Sequence, residues 1–61
     1  MNPCEKYIYS YVKLKTKDLD TVYEDYIIQL VGELGLNILK YHDLVESCGV
    51  INGRQLYVLK K

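Results

Sequence analysis

The chain of 61 residues has no tryptophan or phenylalanine, one proline and two cysteines, and its eight basic residues are balanced by eight acidic ones. A formal net charge of zero removes the general electrostatic attraction behind nonspecific nucleic-acid binding, and it weakens repulsion between copies of the chain. No run approaches the roughly 20 consecutive apolar residues of a membrane span. The start, MNPCEKYIYSY, lacks the apolar core of a signal peptide. We therefore expect a cytoplasmic protein with no membrane contact.

The side chains that carry catalysis or bind metals are also scarce. Cys4 and Cys48 lie far apart in the chain, and in a reducing compartment such thiols usually serve as small apolar residues of the core. The single histidine, His42, has no orienting third group that would activate a thiol, and its spacing from the cysteines matches no usual zinc pattern. We expect a protein that is not an enzyme and that binds no metal, cofactor or small-molecule substrate. His42 instead suits the negative end of a helix.

Length and composition predict one domain, residues 1–61. Hydrophobic residues make up 49% of the chain, more than a disordered chain carries. A domain of this size buries only about 60% of the surface that its unfolded chain exposes. Such a domain is marginally stable alone, so we expect a homodimer.

The first residues of the chain have the pattern of a helix N-terminus. Asn2 can cap the helix, Pro3 suits its first position, and Glu5 falls where a capping-box acid belongs. The predicted apolar side contains Cys4, Tyr7, Ile8, Tyr11 and Val12, and the opposite side contains Glu5, Lys6, Ser10, Lys13 and Lys17. This spacing predicts a helix at residues 3–15. The same stretch also alternates as a strand would, and the cap favours the helix.

A second helix is predicted from a longer apolar stripe at helical spacing. Its members are Leu19, Val22, Tyr23, Tyr26, Ile27, Leu30, Val31 and Leu34. Asp18 and Asp20 suit the positive end of this helix, and Thr21 with Glu24 offers a cap pair. We expect the helix to end near Leu34 or Gly35, because glycine weakens helices.

A short third helix at residues 36–42 and a C-terminal hairpin complete the predicted elements. The hairpin turns at Asn52-Gly53, a favoured two-residue β-turn. In that register Ile51 faces Arg54, Cys48 faces Tyr57 and Ser47 faces Val58. Both sides of the hairpin are then apolar, so both are covered or one meets a partner.

Two long helices, one short helix and a hairpin make a small α+β domain that resembles the winged-helix superfamily. The similar residues are Leu39, the turn KYHD, Leu44-Val45, the wing ESCGVIN, Gly53-Arg54 and Tyr57-Val58-Leu59. The chain departs from the family pattern at Asp43, where glycine is common. It also leaves little room for the small strand that usually lies between the first two helices.

The resemblance implies a regulatory protein whose third helix enters the major groove of DNA while the wing follows the backbone. The residues implied for nucleic-acid binding are Asn37, Lys40, Tyr41, Arg54, Lys60 and Lys61. With so few bases a monomer would bind weakly, and a dimer would double the contact.

The alternative function is a protein-interaction module or inhibitor. All seven aromatic residues are tyrosines, and tyrosine suits half-buried positions and interfaces because its ring is apolar and its tip polar. Tyr9 and Ile28 lie off the apolar stripes of their helices. We expect them, together with Tyr57, to contact a partner.

Overall fold

The structure, a computed structural model, describes residues 3–60. Its elements are α1 (Pro3–Thr16), β1 (Thr21–Tyr23), α2 (Glu24–Tyr41), β2 (Val45–Ile51) and β3 (Arg54–Leu59). The strands form one antiparallel sheet in the order β1-β3-β2. Helix α1 packs on α2, and α2 packs on the sheet. The predicted α+β class with a C-terminal hairpin is confirmed.

The predicted first helix is confirmed with one additional residue, and the alternative strand is wrong. The predicted Asn2 cap lies outside the described residues. Helix α1 ends at Thr16, after which Lys17 adopts a left-handed φ of 57°. A left-handed residue is a usual way to end a helix, because its N–H can still bond the preceding turn. Here Lys17 N–H donates to the carbonyl of Lys13 at 2.8 Å.

The side of α1 that faces the core differs from the predicted one. Three residues of the predicted apolar side are exposed, namely Cys4, Tyr7 and Tyr11. Glu5 and Thr16 are buried instead, and each has a polar partner. The Thr16 hydroxyl donates to the Val12 carbonyl at 3.0 Å, and Glu5 Oε1 lies 2.5 Å from Nε2 of His42. Burial of polar groups is tolerated when they are partnered.

The predicted start of the second helix is wrong, because residues 21–23 form strand β1. Val22 of this strand is buried and pairs with Tyr57 of β3. A β-branched and an aromatic residue in succession suit a strand, and the open edge of β3 supplies the backbone partners. The small strand between the first two helices is therefore present, despite the short space. Helix α2 has Glu24 and Asp25 in its first turn, the place predicted for Asp18 and Asp20.

Helix α2 continues past its predicted end but is broken at Gly32. This glycine has φ 77° and ψ 172°, a conformation that essentially only glycine adopts. We name the segments on either side α2N (residues 24–31) and α2C (residues 33–41). A Cβ atom added at Gly35 would lie 2.6 Å from Cβ of Val31, so the backbone at Gly35 packs closely against the end of α2N. The short third helix thus begins three residues earlier than predicted.

The hairpin turn forms as predicted. Asn52 and Gly53 have φ values of 54° and 76°, as a two-residue loop with both central residues left-handed requires. The predicted pairing of Ile51 with Arg54 is confirmed.

The predicted register holds as far as Gly49, which faces Leu56, and is wrong beyond it, because β2 contains a bulge. Cys48 is the extra residue, so Ser47 and not Cys48 faces Tyr57. The one-residue shift turns Val45 to the same side of the sheet as Tyr57 and Leu59, and all three are buried. This side of the sheet faces the helices.

The core lies between the helices and that side of the sheet. Its buried apolar residues are Val12, Val22, Ile27, Leu36, Leu39, Leu44, Val45, Tyr57 and Leu59. His42 caps the C-terminal end of α2, as predicted for a helix-end residue. Its backbone N–H donates to the carbonyl of Ile38 at 3.1 Å. Its ring contact with Glu5 joins the start of α1 to the end of α2.

Candidate functional site

The outer side of α2C mixes apolar and polar side chains. Its exposed residues are Glu33, Leu34, Asn37, Lys40 and Tyr41. Leu34 and Tyr41 are 74% and 84% exposed, and Asn37 lies between them because residues three and four apart are neighbours on a helix. The predicted contact residues Asn37, Lys40 and Tyr41 are all accessible. The sequence did not identify Leu34 as a surface residue, because the apolar pattern places it in the continuous stripe of the second helix. The break at Gly32 interrupts that stripe.

The hairpin also carries an exposed apolar side chain. Val50 is 62% exposed and pairs with Gln55. Since alternate residues of a strand share a side, Gln55 and Val50 lie on the same side of the sheet as Tyr57. Val50 therefore extends the helix-facing side of the sheet beyond the core. The charged residues of the two strands are Glu46 and Arg54, so the hairpin is poor in cations.

Arg54 folds back onto the domain. Its Nη2 atom donates to both carboxylate oxygens of Asp25 at 2.8 Å, and its guanidinium lies 3.9 Å from the centre of the Tyr23 ring. The hydrogen bond from Arg54 lowers the pKa of Asp25 below its ordinary value. Arg54 therefore joins β3 to β1 and to the start of α2. The guanidinium does not point away from the hairpin toward a ligand.

Two further cations are paired with carboxylates. Lys60 Nζ lies 2.7 Å from Asp43, and Lys13 Nζ lies 2.6 Å from Asp20. In both pairs the hydrogen bond to the carboxylate raises the pKa of the lysine. The predicted contact residue Lys61 lies outside the described residues.

Tyr57 belongs to the core and not to an exposed contact surface. It is 5% exposed, and its hydroxyl donates to Glu24 Oε2 at 2.8 Å. The pKa of Tyr57 is raised, chiefly by burial of the side chain and secondly by this hydrogen bond. Lys40 Nζ lies 5.7 Å from the centre of the Tyr57 ring, so α2C is tied to β3 through this contact.

Tyr9 and Ile28 also pack against the core and are only partly exposed. Tyr9 lies on the side of α1 that faces the core, which differs from the predicted side. Glu5 and Val12, both buried, lie on the same side of the helix. Ile28 is covered because α2 contacts both α1 and the sheet. The exposed tyrosines are Tyr7, Tyr11, Tyr26 and Tyr41, and Tyr7 and Tyr41 are the most exposed of them.

The two cysteines are exposed free thiols, so the expectation that they lie in the core is wrong. Cys48 sits at the bulge, and Cys4 lies on the outer side of α1. Across residues 3–60, no three His, Cys, Asp or Glu side chains are grouped so that they could hold a metal ion. Within the same range neither helix is both long and apolar enough to cross a membrane.

No protein-family model, curated protein or solved structure matches this chain.

Proposed function

We propose that this chain is a non-catalytic, winged-helix-like interaction domain that binds an apolar segment of a partner protein. The binding surface, which we name the α2C surface, consists of Leu34, Asn37 and Tyr41, which share one side of α2C. The observation that carries the proposal is that Leu34 and Tyr41 are apolar or aromatic and are both more than 70% exposed. Apolar side chains that are clustered and exposed are typical of a contact surface.

The order of elements supports the winged-helix part of the proposal. A helix, a small strand, two helical segments and a hairpin follow one another, as the resemblance implies. Asp43 has a φ of 58°, which is a conformation that glycine adopts without strain. Asp43 therefore holds a backbone conformation that suits glycine, the residue common at this position in the family.

The ion pairs favour a protein partner over a nucleic acid. A phosphate could displace Asp25 from Arg54, or Asp43 from Lys60, because exposed ion pairs are weak. The displaced carboxylate would nevertheless remain close to the phosphate and repel it. Each such contact would bring little net attraction, whereas apolar contacts at Leu34 and Tyr41 need no such exchange.

DNA binding through α2C is the second candidate. The observation that favours it is the exposure of Asn37 and Lys40 on a helix that stands beside a hairpin. Asn and Lys side chains can bind base edges in the major groove. This function predicts binding that weakens steeply with salt.

One pair of experiments separates the candidates. Peptides selected from a random-peptide phage library against the folded domain should shift the backbone NMR signals of Leu34, Asn37 and Tyr41, and Leu34→Ser should abolish their binding. Fluorescence anisotropy with a random-sequence duplex at low ionic strength should show no binding. Salt-sensitive duplex binding that Lys40→Ala weakens, with no peptide selected, would reject the protein-partner proposal in favour of DNA.

A further inference from the structure

Helix α1 carries a second apolar stripe on the side that faces away from the core. We name it the α1 stripe, and its members are Cys4, Tyr7, Tyr11 and Leu14. All four are exposed, and Tyr7 and Leu14 are 76% and 71% exposed. Their spacing of three, four and three residues is that of the contact seam between two paired helices. None of these residues belongs to the α2C surface.

We infer that the α1 stripe is the interface of a homodimer in which α1 pairs with α1 of a second copy in the antiparallel direction. The stripe is self-complementary in that direction, whereas a parallel pair would place Cys4 opposite Cys4 and Leu14 opposite Leu14 of the partner. With Tyr7 opposite Tyr11 of the partner, Cys4 lies opposite Leu14, so that a small residue faces a large one. A symmetric dimer requires such self-complementarity, because the same patch is used by both subunits.

The charges beside the stripe also favour antiparallel pairing of two copies. Lys15 and Lys17 both lie near the C-terminal end of α1. A parallel pair would bring the lysines of the two copies together. An antiparallel pair separates the two Lys15 residues by about 18 Å along the helices. This distance exceeds the Debye length of about 10 Å at 0.1 M salt, and the zero net charge of the chain adds no general repulsion.

The exposed area suits a weak dimer. An aromatic side chain offers roughly 200 Å² for burial, so the exposed parts of Tyr7 and Tyr11 amount to roughly 240 Å². Leu14 and Cys4 bring the stripe to roughly 350 Å² per copy. Together with the flanking Ser10 and the stem of Lys15, two copies would bury on the order of 1,000 Å² in total, which lies in the range of transient protein interfaces. We therefore expect reversible dimers at micromolar concentration.

The chain offers a matched pair of leucines for the test. Leu14 on the α1 stripe and Leu34 on the α2C surface are 71% and 74% exposed. Sedimentation equilibrium of the whole chain should show a monomer–dimer equilibrium for the wild type. Each dimer contains two copies of Leu14, so Leu14→Ser should weaken association by at least about tenfold. Leu34→Ser should leave it unchanged, and both variants should keep the thermal midpoint of a low-concentration sample, where dimer is negligible.

Three results would overturn the inference. They are a wild type that is monomeric up to several hundred micromolar, an association that Leu14→Ser leaves intact, and an association that the two variants weaken equally. Leu14→Ser tests the dimer, and Leu34→Ser tests partner binding at the α2C surface. Failure of the dimer can therefore be distinguished from failure of the proposed function.

The direction of pairing is tested by disulfide trapping in a Cys48→Ser background. Leu14→Cys places a new thiol ten residues from Cys4, or about 15 Å along the same helix, too far for a bridge within one chain, since bridged Cα atoms lie within about 7 Å. Mild oxidation should therefore give a covalent dimer between Cys4 and the introduced thiol of the partner. The background protein, with Cys4 alone, should stay uncrosslinked. Rapid crosslinking of that background protein would reject the antiparallel arrangement.

Discussion

Replacing Gly35 by alanine tests the break that separates α2N from α2C. Gly35 lies inside a helical segment, where alanine normally stabilises a helix by about 0.5–1 kcal/mol relative to glycine. In this structure a Cβ atom at position 35 would lie 2.6 Å from Cβ of Val31 and 2.7 Å from Cγ2 of the same residue. These distances are far below van der Waals contact. We therefore expect Gly35→Ala to destabilise the domain, the opposite of its effect in an ordinary helix.

The expected size follows from the two opposing effects. An extra methyl group forced into a packed site costs about 1–3 kcal/mol, and the gain in helix propensity offsets about 0.5–1 kcal/mol of this. The free energy of unfolding should therefore fall by about 1–2 kcal/mol. That is a large part of the roughly 3–9 kcal/mol expected for a domain of this length. A loss of this size lowers the thermal midpoint of a small domain by roughly 5–15 °C.

Urea and thermal unfolding, followed by circular dichroism at one protein concentration below that of dimer formation, measure the effect. Ser10→Ala, at an exposed position of α1, is the control, and it should leave stability unchanged or slightly raised, because alanine is the better helix former. An unchanged or raised thermal midpoint for Gly35→Ala would show that the backbone does not approach Val31 this closely.

Three further changes are expected to have measurable effects. Gly32→Ala should lower the free energy of unfolding by about 1–3 kcal/mol, because alanine would be held in a conformation suited essentially only to glycine; urea unfolding measures this. Tyr57→Phe should cost about 1–2 kcal/mol in the same assay, because it removes the partly buried hydrogen bond that the Tyr57 hydroxyl donates to the Glu24 carboxylate; an unchanged value would contradict that bond. The pKa of Asp25 is lowered in the folded state from an ordinary value of 3.8, so the stabilisation by its pair with Arg54 is present above about pH 4 and is lost as the pH falls below it. Thermal midpoints measured between about pH 5 and pH 2 should therefore fall less steeply for Arg54→Ala than for the wild type, and parallel curves would refute this.

The elements that local signals encode could be predicted from the sequence. Pro3 and the spacing behind it predict α1, and Asn52-Gly53 predicts the hairpin turn, because each depends on residues within a few positions. Strand β1 could not be predicted in this way. Val22 and Tyr23 fit both a helical stripe and a strand, and the deciding contact is the pairing of Val22 with Tyr57, which lies at the other end of the chain.

The candidate site was predictable where it depends on exposure of α2C and unpredictable where it depends on long-range pairing. Asn37, Lys40 and Tyr41 follow from helical spacing. The orientation of Arg54 does not, because it is set by Asp25 and Tyr23, which come together only in the folded domain. The bulge at Cys48 likewise has no strong local signal, yet it decides which side of the hairpin is buried.

The distribution of charged and apolar side chains makes salt the variable that separates the possible modes of association. Arg54, Lys60 and Lys13 are held by carboxylates of the domain itself, whereas Leu14 and Leu34 are exposed. An exposed leucine contributes little to folding, because it remains in contact with water in both the folded and unfolded states. Association through the α1 stripe or the α2C surface should therefore persist as ionic strength rises, since burial of apolar surface is not screened by salt. Binding to nucleic acid should weaken steeply over the same range, because it releases counterions. A salt series on the dimer and on any bound ligand thus tests the apolar character of both surfaces, and association that disappears at high salt would contradict it.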